Sequence, residues 1–327
     1  MPTNFNPGIK SLVSLNEPSE LLHCGDWGTS NLRLYLVDTI SGQCAATKSG
    51  PGISQVNANE IPDLLARLCE PWLQQHNISY SIYCGMVGST IGWADAGYLD
   101  CPLDLNSLAN KLCSPPNANM RSQIIPGVRC NSPTGATDVM RGEETQILGA
   151  IQKSPELLFG KHLLCLPGTH NKWVALKDGV VESFITSVCG ELFSSLTKHS
   201  VLTRGATTSE FDKQYFIDGV IRSSEQRRTD LIHLLFETRS RQLGGQLPQK
   251  ASADFLSGLI IGRDLLGACD LYSQVRLNTS VKIIADSSLS DLYALAGDQL
   301  DIPTDCLDGQ ELSRMGIHSL YRAANAL

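Results

Sequence analysis

Two spacings of hydrophobic residues organise the chain. Leucines stand at every second position of residues 31–37, a pattern typical of a strand with one buried face. Over residues 61–72 the apolar side chains instead recur at helical spacing, and we expect Asn59 to cap this helix with Pro62 in its first turn. The chain therefore contains both element types within its first quarter.

The same patterns continue to the C-terminus. A hairpin is predicted over residues 173–184, turning at Asp178-Gly179, because this dipeptide favours a tight two-residue turn. In the helix predicted over 252–268, Gly258 and Gly262 lie four residues apart, which indicates close helix packing. Strands are further predicted at 21–24, 43–49, 81–84, 163–166 and 281–285, and a helix at 139–152. Strands that alternate with helices indicate an α/β protein.

An internal repeat divides the chain. Residues 28–38 read GTSNLRLYLVD and residues 168–178 read GTHNKWVALKD, with Gly, Thr, Asn, Leu and Asp in matching places. Each copy follows a short apolar strand, so the repeated unit is strand, Gly-Thr-x-Asn turn, strand. The spacing between the copies is close to half the chain length, which predicts two duplicated lobes rather than a short repeat array.

Composition and charge limit the class of protein. Of 327 residues, 42% are hydrophobic and 18% charged, enough to bury a large core. The net charge of −7 argues against nucleic acid or an anionic membrane as the main partner. No apolar run is long enough to span a membrane, and residues 1–20 lack the apolar stretch of a secretion signal. We expect residues 1–20 to form an N-terminal extension and the protein to be cytoplasmic.

The eleven cysteines do not form a metal-binding pattern. No CxxC pair occurs, and the odd count without a signal peptide fits reduced thiols in a cytosol. Cys24, Cys84 and Cys165 lie in apolar runs, where we expect them to pack as small hydrophobic residues. The HExxH, GxxxxGK[ST] and GxGxxG motifs are absent as well.

The two Gly-Thr turns are candidate anion sites. Tight turns rich in glycine and hydroxyls present N–H donors to phosphate, and two of them facing across a cleft would clamp one polyphosphate. Asp26, just before the first turn, is placed to hold magnesium through water. Leu166 occupies the matching place in the second copy, where Lys172 either adds positive charge or is solvated. The alternative for the first loop is an ordinary hairpin turn.

Five segments together resemble the 2-keto-3-deoxygalactonate kinases, which belong to the superfamily of sugar kinases, actin and Hsp70. These segments are GDWGTSNLR, GMVGSTIGW (85–93), DVMRGEETQILGA (138–150), LPGTHNKWV (166–174) and FLSGLIIG (255–262). The resemblance implies two ribonuclease-H-like lobes around a cleft, lobe I over 21–150 and lobe II over 151–327, with a C-terminal helix that returns to lobe I. It also implies phosphorylation of 2-keto-3-deoxygalactonate at its 6-hydroxyl, with ATP and Mg²⁺ as cofactors.

The resemblance also implies which residues bind ATP. The first phosphate motif maps onto Asp26, Gly28, Thr29, Ser30 and Asn31, and the second onto Gly168, Thr169 and Lys172. The adenosine motif maps onto Ala285, Asp286, Ser287 and Ser288. This last segment has no glycine where the superfamily usually has one or two, so it departs from the pattern that seats the purine.

Sugar kinases of this superfamily place a carboxylate base just before the second phosphate motif, where this chain has Glu143 and Glu144. Of the two we favour Glu143. Acids also favour the first turn of a helix for its dipole alone, so a structural role is the alternative. Arg141 is expected either to bind the substrate carboxylate through two hydrogen bonds or to lie on the surface.

The loop after residue 84 is expected to form the wall of the sugar pocket through Met86, Gly88 and Ser89. Trp93 either stacks on an apolar sugar face or packs in the core, and His170 is expected to fill the second turn or donate a hydrogen bond there. The expected partners are a small sugar acid and ATP. The alternatives are a kinase for another sugar or sugar acid, a degenerate sugar sensor, and an actin- or Hsp70-like ATPase.

Overall fold

Alternating strands and helices build the fold, as the sequence predicts. The structure is a computed structural model that describes residues 20–204, 211–225, 228–273 and 280–325. The predicted extension over 1–20 lies outside these ranges except for Glu20. The strands are β1 (Leu21–Trp27), β2 (Asn31–Asp38), β3 (Cys44–Pro51), β4 (Tyr80–Gly85), β5 (Tyr98–Asp100), β6 (Leu103–Asp104), β7 (Arg121–Ile124), β8 (Gly127–Asn131), β9 (Thr137–Met140), β10 (Lys161–Leu166), β11 (Asn171–Lys177), β12 (Val180–Ser187), β13 (Val281–Ala285) and β14 (Thr304–Asp308). The helices are α1 (Ile61–Gln75), α2 (Glu143–Lys153), α3 (Cys189–His199), α4 (Lys213–Glu225), α5 (Leu231–Leu235), α6 (Glu237–Leu243), α7 (Ser252–Leu271), α8 (Ser287–Gln299) and α9 (Gly309–Ala324).

The first sheet has the strand order β3-β2-β1-β4-β7. Strand β1 runs antiparallel to β2 and parallel to β4, and β4 is parallel to β7. The alternating leucines of β2, Leu32, Leu34 and Leu36, are buried in one cluster with Ile61 and Leu65 of α1. The predicted strand and the predicted helix are both present, and their apolar faces pack in the same core.

The second sheet repeats the first. Read from β12, its order is β12-β11-β10-β13-β14, and each pair has the same direction as the corresponding pair in the first sheet. This confirms the two duplicated lobes. One short strand from the first half of the chain, β6, pairs with β12 at the edge of the second sheet. The exact division near residue 150 stays a prediction.

Helices α2 and α9 lie between the two sheets. One buried cluster joins residues of both sheets, such as Cys24 and Leu164, with Leu312 of α9. Helix α9 contacts strands β1 and β4 of the first sheet and strands β13 and β14 of the second. Its assignment to lobe I stays a prediction. A Cβ on Gly149 would lie 2.0 Å from the carbonyl oxygen of Leu312, so α2 and α9 cross with their backbones in contact.

The outer face of the second sheet is covered by α7, α8 and α4. A Cβ on Gly258 would lie 2.0 Å from the oxygen of Phe216, and one on Gly262 would lie 2.3 Å from Oγ of Ser223. Both neighbours belong to α4, so the prediction that these glycines serve close helix packing is confirmed.

Two local predictions were wrong. Residues 137–140 form strand β9 against β8, and α2 begins only at Glu143. Gly142 has a φ of 110°, a backbone conformation that ends the strand and that non-glycine residues rarely adopt. Helix α1 follows a short 3₁₀ turn, and its N-cap position is Glu60, not Asn59.

The predicted hairpin turn and the predicted burial of three cysteines are confirmed. Asp178 and Gly179 both have positive φ, as a tight hairpin turn requires. Cys24, Cys84 and Cys165 are buried, and the eleven cysteines, all within the described ranges, form no disulfide. Within the described ranges, no helix combines the length and the hydropathy that crossing a bilayer requires.

Candidate active site

The first Gly-Thr turn joins β1 to β2 beside the end of β4. Asp26 lies on β1 between two register partners, Cys84 on the parallel strand β4 and Arg33 on the antiparallel strand β2. The main-chain oxygen of Thr29 accepts a hydrogen bond of 2.8 Å from Ser54 Oγ, and the oxygen of Ser30 accepts one from the Gly52 N–H. These contacts fix the turn, while the side chains of Thr29, Ser30 and Asn31 stay exposed. A ligand can therefore reach the turn.

The second turn is held by the partly buried carboxylate of Asp264. The Gly168 N–H donates to Asn171 Oδ1 at 2.8 Å, and Asn171 Nδ2 donates to Asp264 Oδ2 at 3.0 Å. The same Asp264 oxygen accepts from Trp173 Nε1 at 3.0 Å and from the Tyr293 hydroxyl at 2.9 Å. Asp264 thus connects α7, β11 and α8 underneath the turn.

Asp264 was not among the predicted site residues. The available signal was an acid in the middle of a strongly apolar helix, where an unpaired charge would be costly. His170, by contrast, lies at the second turn and makes a side-chain contact there, as expected. Its Nε2 lies 2.6 Å from Glu191 Oε2, and the Glu191 N–H donates to the oxygen of Thr169, so α3 supports the turn.

Lys172 follows this turn but points away from solvent. Lys172 is only 7% exposed. Its Nζ donates to the oxygen of Val139 at 2.9 Å and to Thr186 Oγ1 at 2.7 Å. The alternative of a solvated lysine is therefore wrong. These bonds direct the ammonium group towards β9 and β12, which does not support the predicted phosphate contact.

The two glutamates at the start of α2 have different environments. Glu144 is fully buried, and its Oε2 accepts from the Gly142 N–H at 2.6 Å. Burial and the neighbouring Glu143 charge raise the pKa of Glu144 from 4.5 to about 8. Glu143 is partly exposed, and its Oε2 accepts from the Arg141 N–H at 2.9 Å. Burial also raises the pKa of Glu143, but the Lys172 charge opposes this rise.

Asp26 belongs to the same site as these glutamates. A Cβ on Gly142 would come within 4.0 Å of Asp26 Oδ1, so β1 and α2 meet here. Burial raises the pKa of Asp26, and the Arg33 charge and a hydrogen bond from Ser313 oppose that rise. Arg33 Nη1 is 3.9 Å from Asp26 Oδ2. Ser313, buried on α9, is a second residue that the sequence did not reveal, because it lies far away along the chain.

Arg141 is not a surface residue. Its guanidinium carbon lies 4.3 Å from the centre of the Tyr98 ring, and Nη2 donates to the oxygen of Gly97 at 3.1 Å. The other two nitrogens, Nε and Nη1, are buried without a hydrogen-bond partner among the described residues. A Cβ on Gly88 would lie 3.0 Å from Nη1, so this glycine makes room for the guanidinium group.

The wall formed by residues 86–89 is supported by Trp93. This indole is 8% exposed, donates from Nε1 to the oxygen of Pro116 at 2.9 Å and packs near Tyr83. The structure thus places Trp93 in the core, the second of the two alternatives. Ser89 Oγ donates to the oxygen of Met86 at 2.7 Å, and both residues are partly exposed.

The segment after β13, which has no glycine, is held by the side chain of Asp286. Asp286 caps α8 by accepting from the Leu289 N–H at 3.1 Å and from Ser288 Oγ at 2.7 Å. These bonds lower the pKa of Asp286, and the charge of Arg33 contributes in the same direction. Because the charge of Arg33 acts on both Asp26 and Asp286, the predicted adenosine segment lies near the first turn.

Duplicated sheets, paired Gly-Thr turns and carboxylates at their junction define a phosphotransferase with the sugar-kinase and actin-like fold. The chain belongs to the 2-keto-3-deoxy-galactonokinase family, whose model matches residues 26–320. It is therefore a member of a family of sugar-acid kinases.

Individual relatives agree with this assignment. The chain is 33% identical to a probable 2-dehydro-3-deoxygalactonokinase of Rhizobium meliloti, over 91% of this chain and 95% of the relative. It is 30% identical to the 2-dehydro-3-deoxygalactonokinase of Escherichia coli, over 91% and 96%. A crystal structure of a candidate 2-dehydro-3-deoxygalactonokinase from Sinorhizobium meliloti superposes with a TM-score of 0.80 at 30% identity, covering 94% of this chain and 100% of that one.

A more distant structure shares the fold alone. Component A of the Acidaminococcus fermentans (R)-2-hydroxyglutaryl-CoA dehydratase has a TM-score of 0.50 at 10% identity, over 94% of this chain and 99% of that one.

Proposed function

We propose that this protein transfers the terminal phosphoryl group of ATP to the 6-hydroxyl of 2-keto-3-deoxygalactonate. The observation that carries the proposal is the approach of Asp26 to the corner that carries Glu143, two residues from Arg141, whose Nε and Nη1 are buried and unpaired among the described residues. The charge of Lys172, which follows the second turn, acts on the same Glu143. Family membership supports the same reaction.

Glu143 is the proposed base. Phosphoryl transfer needs positioning, charge neutralisation and a group that accepts the hydroxyl proton. Glu143 is the partly exposed member of the acid pair, so a sugar hydroxyl can approach it. Glu144 is fully buried and accepts from the Gly142 N–H, so we assign it to stabilising the turn between β9 and α2.

Arg141 is the proposed partner of the substrate carboxylate. A buried guanidinium nitrogen without a partner is costly, whereas two nitrogens of one guanidinium match the two oxygens of a carboxylate. Nε and Nη1 are the two nitrogens without a partner within the described ranges, and Nη1 shares with Nη2 the edge of the guanidinium group that can meet both oxygens of a carboxylate. Met86, Gly88 and Ser89 would line the adjoining wall, with Trp93 fixing it from behind. This arrangement favours a sugar acid over a neutral sugar.

The proposed nucleotide contacts follow the two turns and the α8 cap. Thr29, Ser30, Asn31 and Thr169 would bind phosphate through N–H and side-chain donors. Gly28 and Gly168, whose own N–H groups donate within the turns, would leave room for the phosphate to approach. Ala285, Asp286, Ser287 and Ser288 would border the adenosine, and the last three are exposed as this requires.

The site fits a magnesium ion that keeps most of its water. No group of three or more His, Cys, Asp or Glu side chains among the described residues could hold a metal ion. Mg²⁺ is commonly bound through one or two carboxylates, water and substrate phosphates, and Asp26 is the carboxylate at the turn. When bound, the ion would neutralise phosphate charge. Asp26 would orient its water shell.

We further propose that the protein acts in the cytoplasm without a nucleic-acid partner. The eleven free thiols and the net charge of −7 support this view.

The test is ADP release measured across keto-deoxy aldonates of different stereochemistry and neutral hexoses. We expect release that depends on the sugar acid and is fastest with 2-keto-3-deoxygalactonate. ATP turnover that is independent of any sugar would instead indicate an actin-like ATPase. Equal rates with neutral hexoses would contradict the role of Arg141.

A further inference from the structure

An aromatic ring covers the guanidinium group of Arg141. Tyr98 lies on β5 and Arg141 directly follows β9, and these two strands flank β8 in the three-stranded sheet. The guanidinium carbon of Arg141 lies over the Tyr98 ring, 4.3 Å from its centre. At this distance the negative face of an aromatic ring attracts a cation. The contact therefore joins the two edges of the small sheet.

The middle strand leaves room for this contact. Gly127 on β8 is the register partner of Tyr98. A Cβ on Gly127 would lie 2.7 Å from both Cδ1 and Cε1 of the Tyr98 ring. The ring thus lies against the bare backbone of β8, and a side chain at position 127 would displace it.

A carbonyl group fixes the edge of the same guanidinium group. The oxygen of Gly97 accepts from Arg141 Nη2 at 3.1 Å and from the Gly127 N–H at 3.0 Å. Gly97 has a φ of 66°, and its own N–H donates to Asp95 Oδ1 at 3.0 Å, so this oxygen belongs to an ordered turn. With a ring over its face and a carbonyl at one edge, the guanidinium plane has a defined orientation.

The orientation matters because donors of this group are left open. Nε and Nη1 of Arg141 are buried and have no hydrogen-bond partner in the part of the chain that the structure describes. Two parallel hydrogen bonds to a carboxylate require the guanidinium plane to meet it at the right angle. A side chain that is already ordered before the ligand arrives loses less conformational entropy on binding.

We propose that Tyr98 is a positioning residue for substrate recognition, whose ring holds the Arg141 guanidinium group in the orientation that receives the substrate carboxylate. Tyr98 acts through Arg141 rather than on the substrate itself. The inference rests on the proposed function, because it takes Arg141 as the partner of the carboxylate.

The test is the KM for the sugar acid in Tyr98→Leu and Tyr98→Phe. Tyr98→Leu removes the ring, and KM should rise by roughly 3–10-fold, the cost of ordering one long side chain on binding. Tyr98→Phe keeps the ring and should stay near the wild-type KM. In both variants kcat and KM for ATP should be unchanged, a split that a general loss of structure would not produce.

Two comparisons separate the ring from the sheet that carries it. Arg129→Ala removes the ion pair of Arg129 with Asp100, which joins β8 to β5 at 2.7 and 3.0 Å, and should leave KM for the sugar acid in place. Tyr98→Leu added to Arg141→Ala should raise KM no further than Arg141→Ala alone, because two residues that act as one unit are not additive.

Folding is checked by thermal unfolding. Tyr98 is 38% exposed, so we expect its replacement to leave the fold intact. If Tyr98→Leu does not fold, Tyr98→Met is compared with Tyr98→Phe in the same way.

Two results would overturn the inference. One is a folded ring-less variant with the wild-type KM for the sugar acid. The other is a full further loss when Tyr98→Leu is added to Arg141→Ala, which would show that the ring acts without the guanidinium group. An unchanged KM for the sugar acid in Arg141→Ala would instead refute the role of Arg141 in the proposed function, and with it this inference. That variant is measured first, so the two failures are distinguishable.

Discussion

Replacing Asp264 with alanine should loosen the second phosphate turn. The change removes the acceptor of three buried donors, on Asn171, Trp173 and Tyr293. Asn171 Nδ2 keeps a second acceptor in the Tyr293 hydroxyl, so two donors are left unpaired. Leaving one buried donor unpaired costs about 1–3 kcal/mol, so two would cost roughly 2–6 kcal/mol. Asp264 also lines a cavity of about 370 Å³ between α3 and α7, through which water can reach the site. We therefore expect the lower part of that range, about 2–4 kcal/mol.

The assay has two readouts. Denaturant unfolding should show the loss of stability, and steady-state kinetics should show a raised KM for ATP, because Asn171 no longer holds the Gly168 N–H. KM for the sugar acid should change less. Asp298→Ala, at an exposed position of α8, is the control. A variant within about 1 kcal/mol of wild type, with unchanged KM for ATP, would refute the role given to Asp264.

Three further predictions concern single charges. Arg141→Lys should raise KM for the sugar acid but not for ATP, because lysine keeps the charge but cannot offer two nitrogens to one carboxylate; complete loss of the desolvated pair costs about 2–5 kcal/mol, which is the upper limit for this change. Equal impairment with an uncharged analogue would show a structural role instead. Glu144→Gln should flatten the pH dependence of unfolding. With a folded-state pKa of about 8 against 4.5, Glu144 retains a proton that the unfolded chain has lost, so wild-type stability falls as pH rises between these values; an equal slope in both proteins would exclude this. Asp26→Asn should increase the Mg²⁺ concentration needed for half-maximal rate, and an unchanged requirement would remove Asp26 from the metal site.

Much of the fold was predictable because its signals are local. Alternating leucines, helical spacing and the Asp178-Gly179 turn each depend on a few neighbouring residues. The repeated Gly-Thr-x-Asn turn added the duplication, because the two copies have the same strand on either side. The start of α2 was less predictable, since residues 139–152 have an apolar spacing that also fits a strand followed by a helix. Only the positive φ of Gly142 decides between them.

The site was predictable where a motif carries it and not where tertiary packing does. Asp26 and Glu143 lie in recognisable segments, and the structure brings them together. Asp264 and Ser313 act on the site from distant helices, so no local pattern indicates their partners. The choice between Glu143 and Glu144 depends on which carboxylate is buried and bonded to the Gly142 N–H. Lys172 shows the converse case, because a position next to a motif did not fix where its side chain points.

The most direct test of the account is the turnover number of Glu143→Gln beside that of Glu144→Gln, with 2-keto-3-deoxygalactonate as substrate and sugar binding measured by calorimetry. The account predicts that Glu143→Gln lowers kcat by about 10²–10⁴-fold with little change in sugar affinity, because only the proton acceptor is lost. Glu144→Gln should keep most of the activity, since its amide oxygen can still accept from the Gly142 N–H. An inactive Glu144→Gln beside a near-wild-type Glu143→Gln would contradict the assignment.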